Sequence, residues 1–397
     1  MTEREAKESV VKAGVRLVES GLIARTWGNV SCKINKEYFV ITPSGRDYLS
    51  LTPDEIVTVA ISDCSYTGDI KPSGEKRVHA EVYRQNPNIN FVIHTHQENA
   101  SVVSALGLDS IKSDLKLPLL GQKIICASYG LPGTKKLQKG VSEALKCSEG
   151  NAMIMKNHGA VCFGKDAEEA FAIASDLEKV CESFIESQYK KIAHVDKFDA
   201  GKMRSFALSK ITKESKNAKM KSVLTYCNSE RTPDGFNLIK ENGSIINLKF
   251  AQLDGSYDKE ARIHKDIYLA NKSIHHIIHK DTPDILTVSH ANVTLYPLVD
   301  DFAQIVGTKV KTVSDDPFSI AKALKKASAV LVSNNSAYCC GASEGDACAV
   351  HMIMEKNCKT LLCGTLFPKI KPISWLDRNL MRFVYLKKYS KQIENKK

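Results

Sequence analysis

The sequence lacks any apolar run close to the roughly 18 residues that a membrane-spanning helix needs. Its first residues, MTEREAK, are charged and contain no apolar core, so we expect no secretory signal peptide. No two of its 12 cysteines have the CxxC spacing, and such thiols are typical of buried small side chains in a reducing compartment. We therefore predict a cytoplasmic protein with no membrane partner.

The composition is that of an ordinary folded protein. Of the 397 residues, 43% are hydrophobic and 25% are charged, which excludes a disordered, collagen-like or coiled-coil chain. The length predicts two or three domains of about 100–200 residues each. The net charge is +11, but the basic residues are scattered and accompany no nucleic-acid-binding motif, so we expect no nucleic acid partner.

The chain contains two related copies of one sequence pattern. The segment Glu75–Asn86 (EKRVHAEVYRQN) recurs as Glu260–Asn271 (EARIHKDIYLAN), 185 residues later. A second segment, Ala152–Gly164, recurs as Ala329–Gly341, 177 residues later. Because both matches keep the same order at nearly the same separation, we predict a tandem duplication of one domain. The predicted domains are residues 1–195 and 203–397.

Apolar periodicity and cap residues predict both helices and strands in the first copy. Thr52 followed by Pro53 and Glu55 has the pattern of a helix start. Because helical and extended patterns mix along the chain, each copy should be an α/β domain with a sheet covered by helices. We predict helices at 3–20, 77–85 and 167–186, and strands at 38–41, 91–95 and 152–155.

Three histidines of the first copy are candidate metal ligands. His94 and His96 flank one residue at the end of an apolar strand, so their side chains point to the same face. His158 follows another apolar strand and precedes Gly159, which leaves space beside the imidazole. Three neutral imidazoles with an open fourth position form the ligand set of a catalytic Zn²⁺ site. Each histidine alone is equally typical of an ordinary core or surface residue.

Three short turns of the first copy are rich in Gly, Ser, Thr and Asn. They are TWGNVS at 26–31, TPSG at 42–45 and KPSGE at 71–75. Hydroxyl and backbone N–H groups in such turns can bind phosphate, especially before a helix. Ordinary turn chemistry explains these residues equally well. Glu75 is a candidate acid/base group, although a favourable interaction with the helix dipole also explains a carboxylate there.

The ordered motifs TWGNVS, ITPSG, KPSGE, HTH and NHG resemble those of the class II aldolase/adducin head family, over nearly all of residues 5–190. The resemblance implies a three-layer α/β/α fold with a mostly antiparallel central sheet, present here in two tandem copies. It implies that His94, His96 and His158 bind Zn²⁺ or another divalent transition metal, and that Glu75 is the acid/base carboxylate. The phosphate-binding residues that it implies are Gly28, Asn29, Ser44, Gly45, Ser73 and Gly74.

The implied activity is that of a metal-dependent aldehyde-lyase. Such an enzyme cleaves a small sugar phosphate by retro-aldol chemistry, which leaves an enediolate whose negative charge the metal stabilises. The family alternatives are a sugar-phosphate dehydratase, a decarboxylase, a 4-epimerase and a non-catalytic adducin-head-like binding module. Glu75 favours an aldolase or dehydratase over the epimerase, which has Asp there. The family aldolase has a Tyr where this chain reads SDLK at 113–116, which gives the dehydratase and decarboxylase more weight.

The second copy has lost most of this pattern. His279 persists, and Glu260 matches the first copy's acid/base candidate, but no convincing counterpart of TWGNVS is found. We predict that this copy binds no catalytic metal and that His279 is a packing or surface residue. The replaced ligands are His96, which becomes Asp281, and His158, which becomes Asn335.

The resemblance also bears on assembly. In the resembled family, active sites lie between neighbouring subunits of a fourfold ring, and two fused copies could supply two adjacent positions of such a ring. We therefore expect a homo-oligomer in which two chains form a pseudo-tetramer, with the second copy completing the wall of the first copy's site.

Overall fold

The chain divides into two units, which we call unit one (Met1–Asp196 and Lys369–Lys371) and unit two (Lys197–Pro368 and Pro372–Lys397). The structure is a computed structural model. Within the residues that it describes, no helix combines the length and apolarity needed to cross a bilayer. The described residues are 1–23, 27–212, 227–253, 257–325, 327–368 and 370–394.

Unit one is built from helices and strands that alternate along the chain. Its helices are α1 (Glu3–Glu19), α2 (Lys76–Gln85), α3 (Glu98–Ser104), α4 (Lys135–Cys147) and α5 (Ala167–Ala193). Its strands are β1 (Asn29–Lys33), β2 (Tyr38–Ile41), β3 (Val57–Ala60), β4 (Phe91–Thr95), β5 (Ser110–Lys112), β6 (Lys123–Ala127), β7 (Ala152–Met155) and β8 (Gly159–Gly164).

The strands described in unit one form one sheet in the order β3-β2-β1-β4-β8-β7-β6-β5. Neighbouring strands run antiparallel except β6 and β7, which are parallel. The sheet is therefore mixed, and this corrects the expected mostly antiparallel sheet. The physical reason is the connection through α4, because a parallel pair needs a crossover long enough to return to the same edge.

Local sequence signals explain where the helices begin and end. α1 starts at a capping box between Thr2 and Glu5 and stops before Gly21, whose positive φ of 69° is accessible to glycine at little cost. Asp166 caps α5, which continues to residue 193, beyond the predicted end at residue 186. On the sheet, Val78 of α2 and Leu137 of α4 belong to the same buried cluster.

Unit two also combines helices and strands along the chain. Its helices are α6 (Ala200–Ile211), α7 (Lys259–Ala270), α8 (Pro283–Ala291), α9 (Pro317–Ala323), α10 (Glu344–Gly364) and α11 (Trp375–Glu394). Its strands are β9 (Cys227–Arg231), β10 (Gly235–Lys240), β11 (Ile245–Lys249), β12 (His276–Lys280), β13 (Thr312–Val313), β14 (Ala329–Val332) and β15 (Ala337–Gly341).

The described strands of unit two form a mixed sheet in the order β11-β10-β9-β12-β15-β14-β13. The one parallel pair among them, β13 and β14, is again joined through a helix, α9. The order β9-β12-β15-β14 repeats the order β1-β4-β8-β7, so β9 is the counterpart of the strand that carries the end of the TWGNVS motif. The sequence comparison missed this strand.

Two glycines give the same close approach of helix to sheet in both units. A Cβ added to Gly164 would lie 2.8 Å from the backbone nitrogen of Ala170, at the start of α5. A Cβ added to Gly341 would lie 2.4 Å from the backbone nitrogen of Ala347, at the start of α10. Both positions require glycine because no side chain fits beneath the helix.

Candidate metal centre

Two adjacent central strands bring the three candidate histidines together. His94 lies near the end of β4, His96 follows that strand, and His158 lies in the turn between β7 and β8. Because β4 pairs with β8, the end of β4 and the β7–β8 turn meet at the same edge of the sheet. All three side chains are buried, with at most 7% of their surface exposed.

The imidazole nitrogens converge on one point. The Nε2 atom of His94 lies 2.9 Å from the Nε2 atoms of both His96 and His158. One ligand atom from each ring lies within 4.8 Å of the others, which makes this trio a possible metal-binding group. Zn–N distances of about 2.0–2.1 Å would hold the nitrogens of a tetrahedral site about 3.4 Å apart, close to what is observed.

The hydrogen bonding of His94 leaves its inner nitrogen available for a metal. Its Nδ1 lies 2.8 Å from the carbonyl oxygen of Ala160, which can only accept, so the proton is on Nδ1. Burial lowers the pKa of His94 well below its usual value, and the ring is therefore neutral. A neutral ring protonated at Nδ1 presents the Nε2 lone pair to the centre, as metal ligation requires.

Glu75 completes the centre at the N-terminal end of α2. Its carboxylate oxygens lie 3.0 Å from Nε2 of His158 and 3.3 Å from Nε2 of His94. Burial favours the protonated form of Glu75, but the hydrogen bond from the Asn29 amide favours the ionised form, and the pKa of Glu75 lies well below its usual value. The carboxylate and the lone pair of His94 repel each other unless a cation lies between them, so this donor set fits a divalent metal.

The three candidate phosphate turns lie against one another. Pro43 and Pro72 form a β-bridge between the second and third turns. The backbone N–H of Ser44 donates to Lys71, and that of Ser73 donates to Thr42. This pairing leaves Gly45, which has a positive φ of 74°, and Gly74 at the tips of the paired turns.

The first turn lies directly against the metal-ligand strand. A Cβ added to Gly28 would lie 2.6 Å from the carbonyl oxygen of His94, and the φ of Gly28 is 121°. The hydroxyl of Tyr48 donates to the carbonyl of Gly28 at 2.6 Å and lies 3.3 Å from Oγ1 of Thr42. Thr26, which begins this motif, lies outside the described residues.

Two features of the site carried no recognised signal in the sequence. The loop after β6 contacts the third turn, since a Cβ added to Gly133 would lie 3.3 Å from the carbonyl oxygen of Gly74. Glu178 of α5 accepts hydrogen bonds from the backbone N–H groups of Asn99 and Ala100 at 2.6 and 3.1 Å. It thereby caps α3, which follows the HTH motif.

Unit two holds a buried carboxylate at the equivalent place. Oε1 of Glu260 lies 2.6 Å from Nδ1 of His279 and 3.1 Å from Nε2 of His264, and the Tyr338 hydroxyl donates to Oε2 at 2.7 Å. Although burial favours the neutral form, the two imidazoles hold the pKa of Glu260 well below its usual value. We expected His279 to be a packing or surface residue; its ring is buried and contacts this carboxylate through Nδ1.

Comparison with known proteins identifies the class. The family model described as Class II Aldolase and Adducin N-terminal domain matches residues 8–185 and 224–362. The chain therefore belongs to this family, and the two matched segments confirm the tandem arrangement.

Individual relatives match about half of the chain. A 5-deoxy-D-ribulose 1-phosphate aldolase of Bacillus thuringiensis serovar kurstaki is 29% identical over 179 residues, which are 45% of this chain and 83% of that protein. A solved L-fuculose 1-phosphate aldolase is 26% identical, with a TM-score of 0.44, over 51% of this chain and 93% of its own. The corresponding enzyme from Thermus thermophilus is 24% identical, with a TM-score of 0.40, over 47% of this chain and 96% of its own.

Proposed function

We propose that the first unit is a metal-dependent aldehyde-lyase of the class II aldolase type, which cleaves a small sugar phosphate by retro-aldol chemistry. The observation that carries this proposal is the convergence of three buried imidazole nitrogens beside a buried carboxylate. An aldolase relative at 29% identity over 179 residues supports the same reaction class.

The proposed metal ligands are His94, His96 and His158, with Zn²⁺ as the first candidate among divalent transition metals. Imidazole ligands suit zinc, and three of them leave a position for substrate oxygens. When bound, such an ion stabilises negative charge that develops on the substrate during carbon–carbon cleavage. The protein contributes a site in which the three imidazoles are buried and held close together before substrate arrives.

Glu75 is the proposed acid/base group. Its ionised carboxylate accepts the proton that the substrate hydroxyl loses and returns it to the carbon released by cleavage, so no proton is gained or lost overall. It lies within hydrogen-bond distance of the histidine trio, which is where the reacting atoms would be. Only 12% of the Glu75 side chain is exposed, which limits the water that would otherwise compete for that proton.

The paired turns next to Glu75 are the proposed phosphate site. Gly28, Ser44, Gly45, Ser73 and Gly74 supply backbone and hydroxyl donors at the start of α2, where the helix dipole favours an anion. Holding the phosphate there fixes the reacting end of the substrate against the histidines. Asn29 belongs to this set by resemblance alone.

The second unit is proposed to be a degenerate copy without a metal site. We assign residues 1–195 to the catalytic domain and 203–397 to this copy, each with the three-layer α/β/α arrangement that the resemblance implies. We assign the protein to the cytoplasm, because all 12 cysteines lie in the described ranges and are free thiols, as a reducing compartment would keep them.

We also propose that two chains associate into a pseudo-tetramer. The support comes from α11, which exposes several large apolar side chains. Such clusters on a surface mark interaction sites. Light scattering should therefore give the mass of a dimer. A monomer with full activity would contradict this assembly. The exposed residues are Trp375 (68%), Leu376 (68%), Leu380 (46%), Phe383 (61%), Val384 (48%) and Leu386 (48%).

The test is a product assay on purified full-length protein with 5-deoxyribulose 1-phosphate and related ketose 1-phosphates. Retro-aldol cleavage of this substrate yields dihydroxyacetone phosphate and acetaldehyde, and a chelator should abolish both while added Zn²⁺ restores them. Release of water without cleavage into two carbon fragments would instead indicate a dehydratase. A decarboxylase would be indicated by carbon dioxide release from a phosphorylated sugar acid supplied in a parallel assay. Absence of bound metal, together with no effect of His94→Ala on any activity, would indicate a binding module.

A further inference from the structure

A chain of buried hydrogen bonds lies behind Glu75. The Asn29 amide nitrogen donates to Oε2 of Glu75 at 2.9 Å, and the amide oxygen contacts Nε2 of His79. Nδ1 of His79 lies 2.7 Å from Oγ of Ser31, which lies 2.7 Å from the hydroxyl of Tyr83. At most 4% of the surface of each of these four supporting side chains is exposed.

The direction of every bond follows from the carboxylate. The Asn29 NH₂ group donates to Oε2 of Glu75, which places the amide oxygen, an acceptor, against Nε2 of His79. His79 must then donate from Nε2. Burial lowers the pKa of His79 to about 4, so the ring is neutral and its Nδ1 accepts. Ser31 therefore donates to His79, and Tyr83 donates to Ser31.

Unit two provides an internal comparison. Ser229 contacts Nδ1 of His264 at 2.6 Å and the hydroxyl of Tyr268 at 2.8 Å, which repeats the serine–histidine–tyrosine part of the chain. The residue two positions before this serine is Cys227, where unit one has the asparagine. With no amide in between, Nε2 of His264 contacts the carboxylate of Glu260 directly at 3.1 Å.

The comparison separates two roles. The serine–histidine–tyrosine part is present with and without the histidine trio, so it joins the helix to the central strand in either unit. The asparagine is present only where the trio is present. It keeps the His79 ring away from the carboxylate and leaves both oxygens of Glu75 facing His94 and His158.

We propose that Asn29 and His79 are positioning residues for Glu75: the Asn29 amide orients the carboxylate toward the histidine trio, and His79 fixes the orientation of that amide. The inference rests on the proposed acid/base role of Glu75. It assigns Asn29 a role in addition to the phosphate contact implied by the resemblance, because one N–H of its amide donates to Glu75 and its amide oxygen contacts His79.

The first experiment measures where the proton lies on His79. Protein labelled with ¹⁵N at histidine is examined by NMR in the metal-free and Zn²⁺-loaded states, and the His79→Gln variant identifies the signals. We expect the proton on Nε2, with Nδ1 unprotonated, in both states. A proton on Nδ1 would overturn the inference, because the Asn29 oxygen would then face an acceptor. This result does not depend on any lyase activity.

The second experiment compares variants of matched positions in the two units. Asn29→Leu should lower kcat about 10- to 100-fold, the effect of losing a hydrogen bond to a charged group. His79→Leu should lower kcat by a similar factor, because the Asn29 amide is then free to turn away from Glu75. In both variants KM should change less than about threefold and bound metal should be unchanged. His79→Gln, which keeps a donor near the Nε2 position, should recover at least about tenfold of that loss. The matched control His264→Leu should reduce thermal stability and leave kcat unchanged.

Two outcomes would contradict the positioning role. A raised KM with unchanged kcat in Asn29→Leu would show that the amide contacts the substrate phosphate. An equal loss of kcat in His79→Leu and His264→Leu would show a purely structural effect. If the unsubstituted protein has no lyase activity, the proposed function fails, and the NMR experiment still decides the orientation of the chain.

Discussion

Replacing His158 by asparagine gives the first unit the residue that the second unit carries at the same place. The second unit folds with Asn335 buried to 3% exposure after the equivalent strand, so the backbone tolerates this side chain. In the first unit the change removes an imidazole nitrogen that lies 2.9 Å from that of His94. It leaves a shorter side chain with a neutral amide oxygen, which is a weak ligand for zinc.

The magnitude follows from the size of the ligand set. Zinc binding to four-ligand peptide sites has an apparent free energy of about 10–16 kcal/mol, so one ligand contributes about 2.5–4 kcal/mol. His158→Asn should therefore weaken Zn²⁺ binding about 60- to 700-fold. Competition with a chromophoric chelator measures the dissociation constant, and mass spectrometry of the metal content measures the stoichiometry.

The control is His290→Asn on α8, a partly buried histidine whose Nδ1 bonds a backbone carbonyl of its own helix. It should leave the metal affinity unchanged. A His158→Asn variant that keeps a full equivalent of metal at an unchanged dissociation constant, with an unchanged melting temperature, would refute the three-histidine site.

Three further predictions follow from the same contacts. Glu75→Gln should lower turnover at least about 1,000-fold with unchanged metal content; loss of metal would make the carboxylate a ligand. Gly159→Ala should lower the free energy of unfolding, measured in urea, by about 1–3 kcal/mol and should weaken Zn²⁺ binding. The reason is that the new Cβ would lie 2.2 Å from the carbonyl oxygen of Thr95. An unchanged free energy of unfolding would contradict this packing. The pKa of His79 is about 4 in the folded protein and 6.5 when the imidazole is free. The buried neutral ring therefore contributes fully to stability above pH 6.5, and this contribution is lost as the pH falls toward 4. The free energy of unfolding of the metal-free protein should thus fall by about 2 kcal/mol between about pH 7.5 and pH 5, and His79→Gln should remove that part of the slope.

Much of the fold could be predicted from local signals. The periodicity of α1 and its Gly21 stop, and the apolar strands at 91–95 and 152–155, are confirmed. Thr52 and Glu55 do form a capping box, but only the 3₁₀ turn Pro53–Glu55 follows, because the chain enters β3 directly. The parallel pair in each sheet was missed, since strand direction depends on a crossover and no local pattern encodes it.

The histidine trio could be predicted because strand spacing and flanking glycine constrain where each imidazole points. The hydrogen-bonded residues that lie behind Glu75 could not be predicted. The partners of Asn29 come from α2 and the residue before it, 46 and 50 positions away along the chain, and a single sequence carries no signal for such contacts. The strand β9 was missed for a related reason. Its Ser229 contacts His264 as Ser31 of β1 contacts His79, but the rest of its sequence does not resemble that of β1.

In the second unit a tyrosine fills the space beside the remaining histidine, His279. The ring of Tyr338 stacks on His279 with 3.9 Å between centroids, and its hydroxyl donates to Glu260. The equivalent position in the first unit is a valine, which leaves that room open. Restoring histidine at 281 and 335 would still leave His279 turned toward the carboxylate and covered by tyrosine. We therefore expect that histidines at 281 and 335 alone would not create a second metal centre, and that Tyr338 would also have to be replaced by a smaller residue.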